Sequence, residues 1–386
     1  MDFALPEDLA RERDRFRRFL TRGPFAQALA AWRSAGLLDR RFFAHLGEAG
    51  AYAYGWEGGR LVRRGALREC VLFEEFARVA AGAAIAALAH AGLALTALSR
   101  FGSPRLQKRY GPAAAAGGTV LCLANTEAHA GSDAAAIRLV AEPESGGFRL
   151  SGAKAYVTNG AIADFAVVTA VTDPGAPRKR GLSMFLVDLN APGVRRRPLA
   201  KSAWSPSDLT RLEFDAVRVP ADHLLGECGR GLAQVLSVFT ASRVPIAAIA
   251  VGTAQGAFDL ALAHGRRRRA FGVRLLDFQA KAFEAADLHA RLEAARMMVW
   301  RAAWEADREA ESRAAAAAAK YLAVDAARRV THWAADLFGA ASILRNHPIH
   351  PFPLDAWAAS LGEGTQDVQK WVIFREALGG AGIEEP

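Results

Sequence analysis

The chain has 386 residues, 52% of them hydrophobic and 23% charged, which excludes a disordered polymer and provides for two or three packed layers. Its net charge of +9 is spread through the chain, so it fits an anionic ligand, nucleic acid or lipid and selects none of them. Three separated cysteines, Cys70, Cys122 and Cys228, make neither a disulfide framework nor a zinc knuckle. No metal site and a reducing, cytoplasmic location are expected.

The opening MDFALPEDLARERDRFRR is charged from the start and fits no signal or transit segment. Residues 8 to about 117 read as helix, with loops at Gly55–Gly59 and Gly102–Pro104. Val79 to Leu98 carries no Asp, Glu, Lys or Arg and has the length of a membrane span. It is mostly Ala and Gly and contains His90, so a buried helix and no membrane are expected. From Thr119 to Val219 the texture changes to short apolar or alternating runs: TVLCLAN, GFRLSG, KAYVTN, FAVVTAV, SMFLVDL, VRRRPL and RLEFDAVRV. Helical segments return at 231–265, 274–307, 311–340 and 365–379, an antiparallel bundle by their number and length. The fold class read from this order is α+β. It has an N-terminal helical domain (1–118), a central β-barrel-like domain (119–228) and a C-terminal four-helix bundle (229–386).

Four stretches stand out. TEAHAGSD, Thr126–Asp133, follows a strand and combines small residues with hydroxyls; by itself it is a ligand-approach loop or a plain capped turn. KAYVTNG, Lys154–Gly160, reads unaided as a strand entering an Asn-Gly turn. Arg266–Arg269 is the densest basic run, by itself a solvated helix face. Finally, Glu363 lies between two glycines just before a helix, where a carboxylate is also an ordinary capping residue.

Together and in this order these stretches resemble the acyl-CoA dehydrogenase family of flavoproteins over nearly the whole chain, most loosely in the N-terminal helices. The resemblance implies FAD as cofactor. Leu123, Asn125, Thr126, Gly131 and Ser132 would touch it, with Ser132 also on the thioester's pantetheine arm. Tyr156, Val157 and Thr158 would lie beside the flavin ring. Arg268, Phe271 and Gln279 resemble a segment that reaches the FAD of a neighbouring subunit, where a guanidinium fork suits a pyrophosphate. Asp336, Gly339, Ala340, Thr365 and Asp367 complete the cofactor set. Leu236, Phe239, Thr240 and Arg243, on one helical segment, would line the acyl or pantetheine channel with Gly362 and Gly364. The resemblance also implies a homo-oligomer, a tetramer, and electron-transfer flavoprotein as electron acceptor.

Glu363 matches the family's base, which removes an α-proton while Cβ delivers hydride to flavin N5. Such a base needs hydrogen bonds to the thioester oxygen and a pKa raised by desolvation. Some relatives carry the base before an Arg; here that place is Ser242, preceding Arg243, and serine is no such base unaided. Gly362 leaves room beside Cα and Cβ, so a branched, cyclic or otherwise wide acyl group is expected. Several positions depart from the family pattern: Ala128 for Pro, Tyr156 for Trp, Ala270 for a polar residue, Asp336 for Gln, Ala340 for Gly and Leu354 for Arg. The alternatives are a dehydrogenase acting on acyl carrier protein and a monooxygenase of the same fold, which generally lacks the Glu-Gly-Thr base. A nucleic-acid-binding relative carries an added basic C-terminal domain, which is not expected in a chain ending at Pro386.

Overall fold

The computed structural model describes residues 4–177, 180–308, 310 and 312–379. Helices α1 (Glu7–Thr21), α2 (Gly23–Ala35) and α3 (Arg40–Glu48) open the chain, and each buries a short apolar stripe, such as Leu9, Phe16 and Leu20 on α1. The expected loop at Gly55–Gly59 is instead a two-stranded antiparallel ribbon, β1 (Tyr54–Glu57) and β2 (Arg60–Arg63), because Gly58 and Gly59 both take positive φ and reverse the chain tightly.

Helix α4 (Ala66–Ala87) continues through a π-helical stretch, Leu88–Leu95, into α5 (Thr96–Phe101), and α6 (Pro104–Ala115) follows. This apolar run and helix α7 (Gly231–Gly265) are the two described segments long and apolar enough to cross a membrane, and both are mostly buried inside the protein. They pack directly on each other. A Cβ on Gly252 would lie 2.1 Å from the Glu74 carbonyl oxygen, so glycine there is what permits the helices to approach.

The central part is one mixed sheet. Its strands are β3 (Leu121–Ala124), β4 (Val140–Glu144), β5 (Gly147–Val157), β6 (Phe165–Val171), β7 (Leu182–Asp188), β8 (Val194–Pro198), β9 (Thr210–Pro220) and β10 (Leu224–Leu225). They run in the order β10-β7-β6-β4-β5-β9-β8, with β3 parallel to β6. The sheet is open: β8 and β10 are its edges, and no pairing joins them, so the expected barrel-like closure is corrected to an open mixed sheet. GFRLSG and the first four residues of KAYVTN form the single strand β5, whose pairing with β9 shifts register after Lys154.

After α7 a small ribbon, β11 (Arg269–Ala270) and β12 (Val273–Arg274), precedes the long helices α8 (Gln279–Ala306) and α9 (Arg313–Phe338). Two shorter helices, α10 (Pro351–Ala358) and α11 (Gln366–Ala377), close the described chain. Helices α7, α8, α9 and α11 form the expected bundle, and the Ala314–Ala319 run lies inside α9, where Ala316, Ala317 and Ala319 are buried against it.

Candidate active site

The first two motifs meet at the edge where β3 ends. The Ala155 N–H donates to the Thr126 carbonyl at 2.8 Å. Lys154 is fully buried, and its Nζ donates to the Asn125 carbonyl at 2.9 Å and to Glu127 Oε1 at 2.8 Å. The Glu127 carboxylate also accepts the N–H groups of Arg138 (2.8 Å) and Leu139 (2.9 Å). Glu127 therefore works as the internal brace of its loop. Desolvation raises its pKa, but Lys154 and the two backbone donors outweigh that and hold it low. Asn125 is likewise engaged inside, its Oδ1 accepting the Thr169 hydroxyl at 2.7 Å.

What the braced loop turns outward is different in kind. Gly131 and Ser132 are exposed, and a Cβ on Gly131 would meet nothing within 4 Å. The hydroxyls of Thr126, Ser132 and Thr158 have no protein partner among the described residues. Tyr156 takes a left-handed φ of 57° at the register shift of β5 and is 59% exposed, beside half-buried Thr158. Leu123 is half-buried on β3, and Val157 is buried. Unpartnered hydroxyls, open space beside a glycine and an uncovered ring are the donor set that a flavin with its phosphates would take.

Glu363 lies on the turn between α10 and α11 with φ at 48°, a conformation unfavourable for a residue with a Cβ. Its peptide N–H donates to no acceptor among the described residues. Desolvation pushes its carboxyl above the ordinary glutamate range, against the opposing influence of Lys320 and Arg243. Lys320, from α9, is wholly buried and donates to the carbonyls of both Gly362 and Gly364. Gln369 Nε2, from α11, donates to the Glu363 carbonyl (3.1 Å) and the Gly364 carbonyl (2.9 Å). Thr365 caps α11 through its side chain, and Asp367 pairs outward with Lys370 at 3.0 Å.

On α7, buried Thr240 donates to the Leu236 carbonyl and accepts from Arg243 at 3.4 Å; Leu236 and Phe239 are half-buried. Ser242 is buried with its hydroxyl turned back onto the Phe239 carbonyl, leaving no second carboxylate at that place. A Cβ on Gly362 would stand 3.5 Å from Ile246 Cδ1 and 3.6 Å from Trp204 Cη2. The room beside Gly362 is thus real but bounded by an indole that the motifs did not point to. Trp204 is held by Asp355, whose carboxylate accepts its backbone N–H, and by Lys201, which donates to its backbone carbonyl. Burial pushes Asp355 up to about 7.

The remaining cofactor positions gather elsewhere. Arg268 precedes the β11–β12 ribbon, whose turn residues Phe271 and Gly272 both have positive φ; Phe271 is 97% exposed, uncovered by any of the described residues. Gln279 is exposed at the start of α8, and Asp336, Gly339 and Ala340 are exposed at the end of α9. Leu337 and Leu276 both pack where Gly265 ends α7, so these segments share one end of the bundle. Along α9, Asp336 is about 24 Å from Lys320 at 1.5 Å per residue. Within one chain this group does not join Glu363.

Lys320 and Trp204 support the site from outside every motif, and Lys154 and Gln369 do so from within motif stretches that gave them no role. Lys320 had a visible signal. It is the one charge between Arg313 and Asp325, on the same helical face as Ala316, Ala323 and Ala327.

Helices, open sheet and bundle, with a carboxylate and an unpartnered hydroxyl edge, define a three-part helical and sheet architecture, and the comparisons give it a family. The models for the N-terminal, middle and C-terminal domains of acyl-CoA dehydrogenase match residues 6–118, 122–217 and 229–378. The chain belongs to the acyl-CoA dehydrogenase family. It is 38% identical over 315 residues to the Mycobacterium tuberculosis protein named "Probable acyl-CoA dehydrogenase FadE25", covering 80% of this chain and 79% of that one. It is 33% identical over 357 residues to cyclohexane-1-carbonyl-CoA dehydrogenase of Geobacter metallireducens, covering 92% and 93%. Among solved structures, an FAD complex of PigA superposes with a TM-score of 0.92 at 26% identity, covering 99% and 100%.

Proposed function

We propose that this protein is an FAD-dependent dehydrogenase that converts an acyl-CoA to its trans-2-enoyl-CoA, with Glu363 as the base that takes the α-proton. The observation that carries this reading is Glu363 itself: a carboxylate made more basic by desolvation, on a strained turn, next to a peptide N–H without a partner. That N–H is free to donate to the thioester oxygen, and in a dry site such a donor stabilises the enolate forming there. A raised pKa favours proton uptake, and the Arg243 guanidinium is near enough to act on the carboxylate electrostatically.

FAD, when bound, supplies the hydride acceptor at N5. Thr126, Ser132 and Thr158 would hold it through their free hydroxyls, and Tyr156 would cover its ring. Arg268, Phe271 and Gln279 would serve the FAD of another copy, since they are exposed and remote from Glu363 in their own chain. This favours a homo-oligomer, a tetramer by family resemblance, with electron-transfer flavoprotein as acceptor and the cytoplasm as location. The substrate class is an acyl group wider than a straight chain at Cα and Cβ. The space beside Gly362 supports it, as does the cyclic acyl group in the name of the Geobacter relative.

The test is anaerobic mixing of the FAD-loaded protein with a panel of acyl-CoA thioesters while flavin absorbance is followed. Bleaching by branched or cyclic acyl-CoA, lost by at least ~100-fold in Glu363→Gln, is the expected result. Full-speed bleaching in that variant sinks the assignment.

A further inference from the structure

Lys320 has no place in the motifs, yet it is a fully buried charge at the site, as Lys154 is at the other end of it. Its ammonium grips two carbonyls that flank one residue, those of Gly362 and Gly364, and that residue is Glu363. Gln369 takes the carbonyl between them. Three successive carbonyl groups are therefore drawn toward α9 and α11. A trans peptide is planar, so its N–H points opposite to its C=O. Fixing the Gly362 carbonyl on Lys320 turns the Glu363 N–H away from α9, and this is the N–H that has no acceptor in the protein. The same grip holds Glu363 at φ 48° and Gly364 at φ 89°. Without it, the turn could relax to the ordinary right-handed or extended regions, which would swing carboxylate and N–H together.

We infer that Lys320 is the positioning residue of this active site: it sets the peptide plane that presents the Glu363 N–H to the thioester oxygen and aims the carboxylate at the α-carbon. The inference rests on the reading of Glu363 as base. The role calls for a donor that reaches two acceptors from a helix packed behind the turn, and a lysine on the buried, alanine-lined face of α9 provides it. The charged groups facing Glu363 among the described residues are Lys320 from α9 and Arg243 from α7; α11 presents neutral Gln369. Burial lowers the Lys320 ammonium to about 8, so it remains mostly protonated at neutral pH.

The experiment compares wild type, Lys320→Met, Lys320→Gln and Glu363→Gln, all FAD-loaded, by anaerobic stopped-flow reduction with a saturating acyl-CoA across pH. Met keeps the volume and removes the donors, while Gln keeps a shorter donor without the charge and stands in if the Met protein does not fold. The expected result is a reduction rate about 10- to 100-fold lower in Lys320→Met at the plateau, the usual scale for losing a partner that orients an active group. The acid limb of the profile should also move to higher pH, because a cation near the carboxylate is gone. A structural role alone would lower the yield of folded flavoprotein and leave the limb in place. Wild-type rates, or slower rates with an unmoved limb, in a folded Lys320 variant overturn the inference while Glu363→Gln stays inactive. An active Glu363→Gln instead overturns the base assignment beneath it.

Discussion

His90 offers the sharpest quantitative test of how the fold is held behind strand β3. It sits in the π-helical stretch Leu88–Leu95, wholly buried, with Tyr52 and Phe43 rings 4.9 and 5.6 Å away. Nε2 donates to the Ala114 carbonyl at 3.0 Å, and Nδ1 accepts the Leu121 N–H at 3.1 Å, where β3 begins. Both ring nitrogens are thus committed in the neutral form, and protonating Nδ1 would set two donors against each other. Burial accordingly drives the pKa from 6.5 down to about 4. A base depressed in the folded state contributes its full stability above the unfolded pKa and loses it as pH falls through the interval. That interval corresponds to about 3 kcal/mol in total, of which ~2 kcal/mol is gone at about pH 5. The assay is urea unfolding of wild type and His90→Gln at about pH 7.5 and about pH 5, by tryptophan fluorescence. Glutamine removes the titration while retaining a donor and an acceptor. Wild type should lose about 2 kcal/mol more than the variant over this span. Parallel losses in the two proteins would refute the reasoning.

Three further outcomes concern the site. Lys154→Met strands the Glu127 carboxylate in the interior, and breaking such a buried pair from one side costs about 3–5 kcal/mol. Urea unfolding should show that loss, with FAD retention falling alongside because Thr126 and Tyr156 flank the pair; a cost under about 1 kcal/mol would count against the brace. Gly362→Ala should be nearly silent, since its Cβ meets Ile246 and Trp204 at ordinary contact distance. Gly362→Phe must run into the Trp204 indole or the acyl space, so turnover of cyclic acyl-CoA should fall at least ~10-fold more than that of butyryl-CoA. Equal losses on both substrates would remove the width argument.

Much of the architecture was legible because it is written in local periodicity. The apolar spacing of α7 and the alanine face of α9 read as helices, and FAVVTAV and RLEFDAVRV read as strands at nearly their observed bounds. VAEPE was missed as β4, since its Pro and two Glu hide a strand whose pairing to β5 is set by the neighbour, not by its own composition. Closure of the sheet was not legible either, because it depends on which edges meet across the whole domain. At the candidate site, the motifs single out Glu363, Tyr156 and Ser132, but the contacts that hold these segments are not written in any one motif. Lys320 is 43 positions from Glu363 and Lys154 is 27 from Glu127, so their partnerships exist only once helices and strands have packed.

With Glu363 read as the proposed base, the placement of Lys320 also resolves a conflict that any carboxylate base near a cation faces. A direct ion pair would favour the charged carboxylate, lower its pKa and weaken it as a proton acceptor. Lys320 makes no such pair with Glu363; its hydrogens go to the two flanking carbonyls instead. The cation is close enough to be felt, yet desolvation still dominates and the carboxyl stays above its ordinary range. The same arrangement relieves the lysine, since a buried ammonium satisfied by carbonyls needs no carboxylate to keep it folded. In the proposed arrangement one side chain thus fixes the backbone of the turn without cancelling the desolvation that makes the carboxylate basic, a role that gives the single charge on this alanine-lined stretch of α9 something to do.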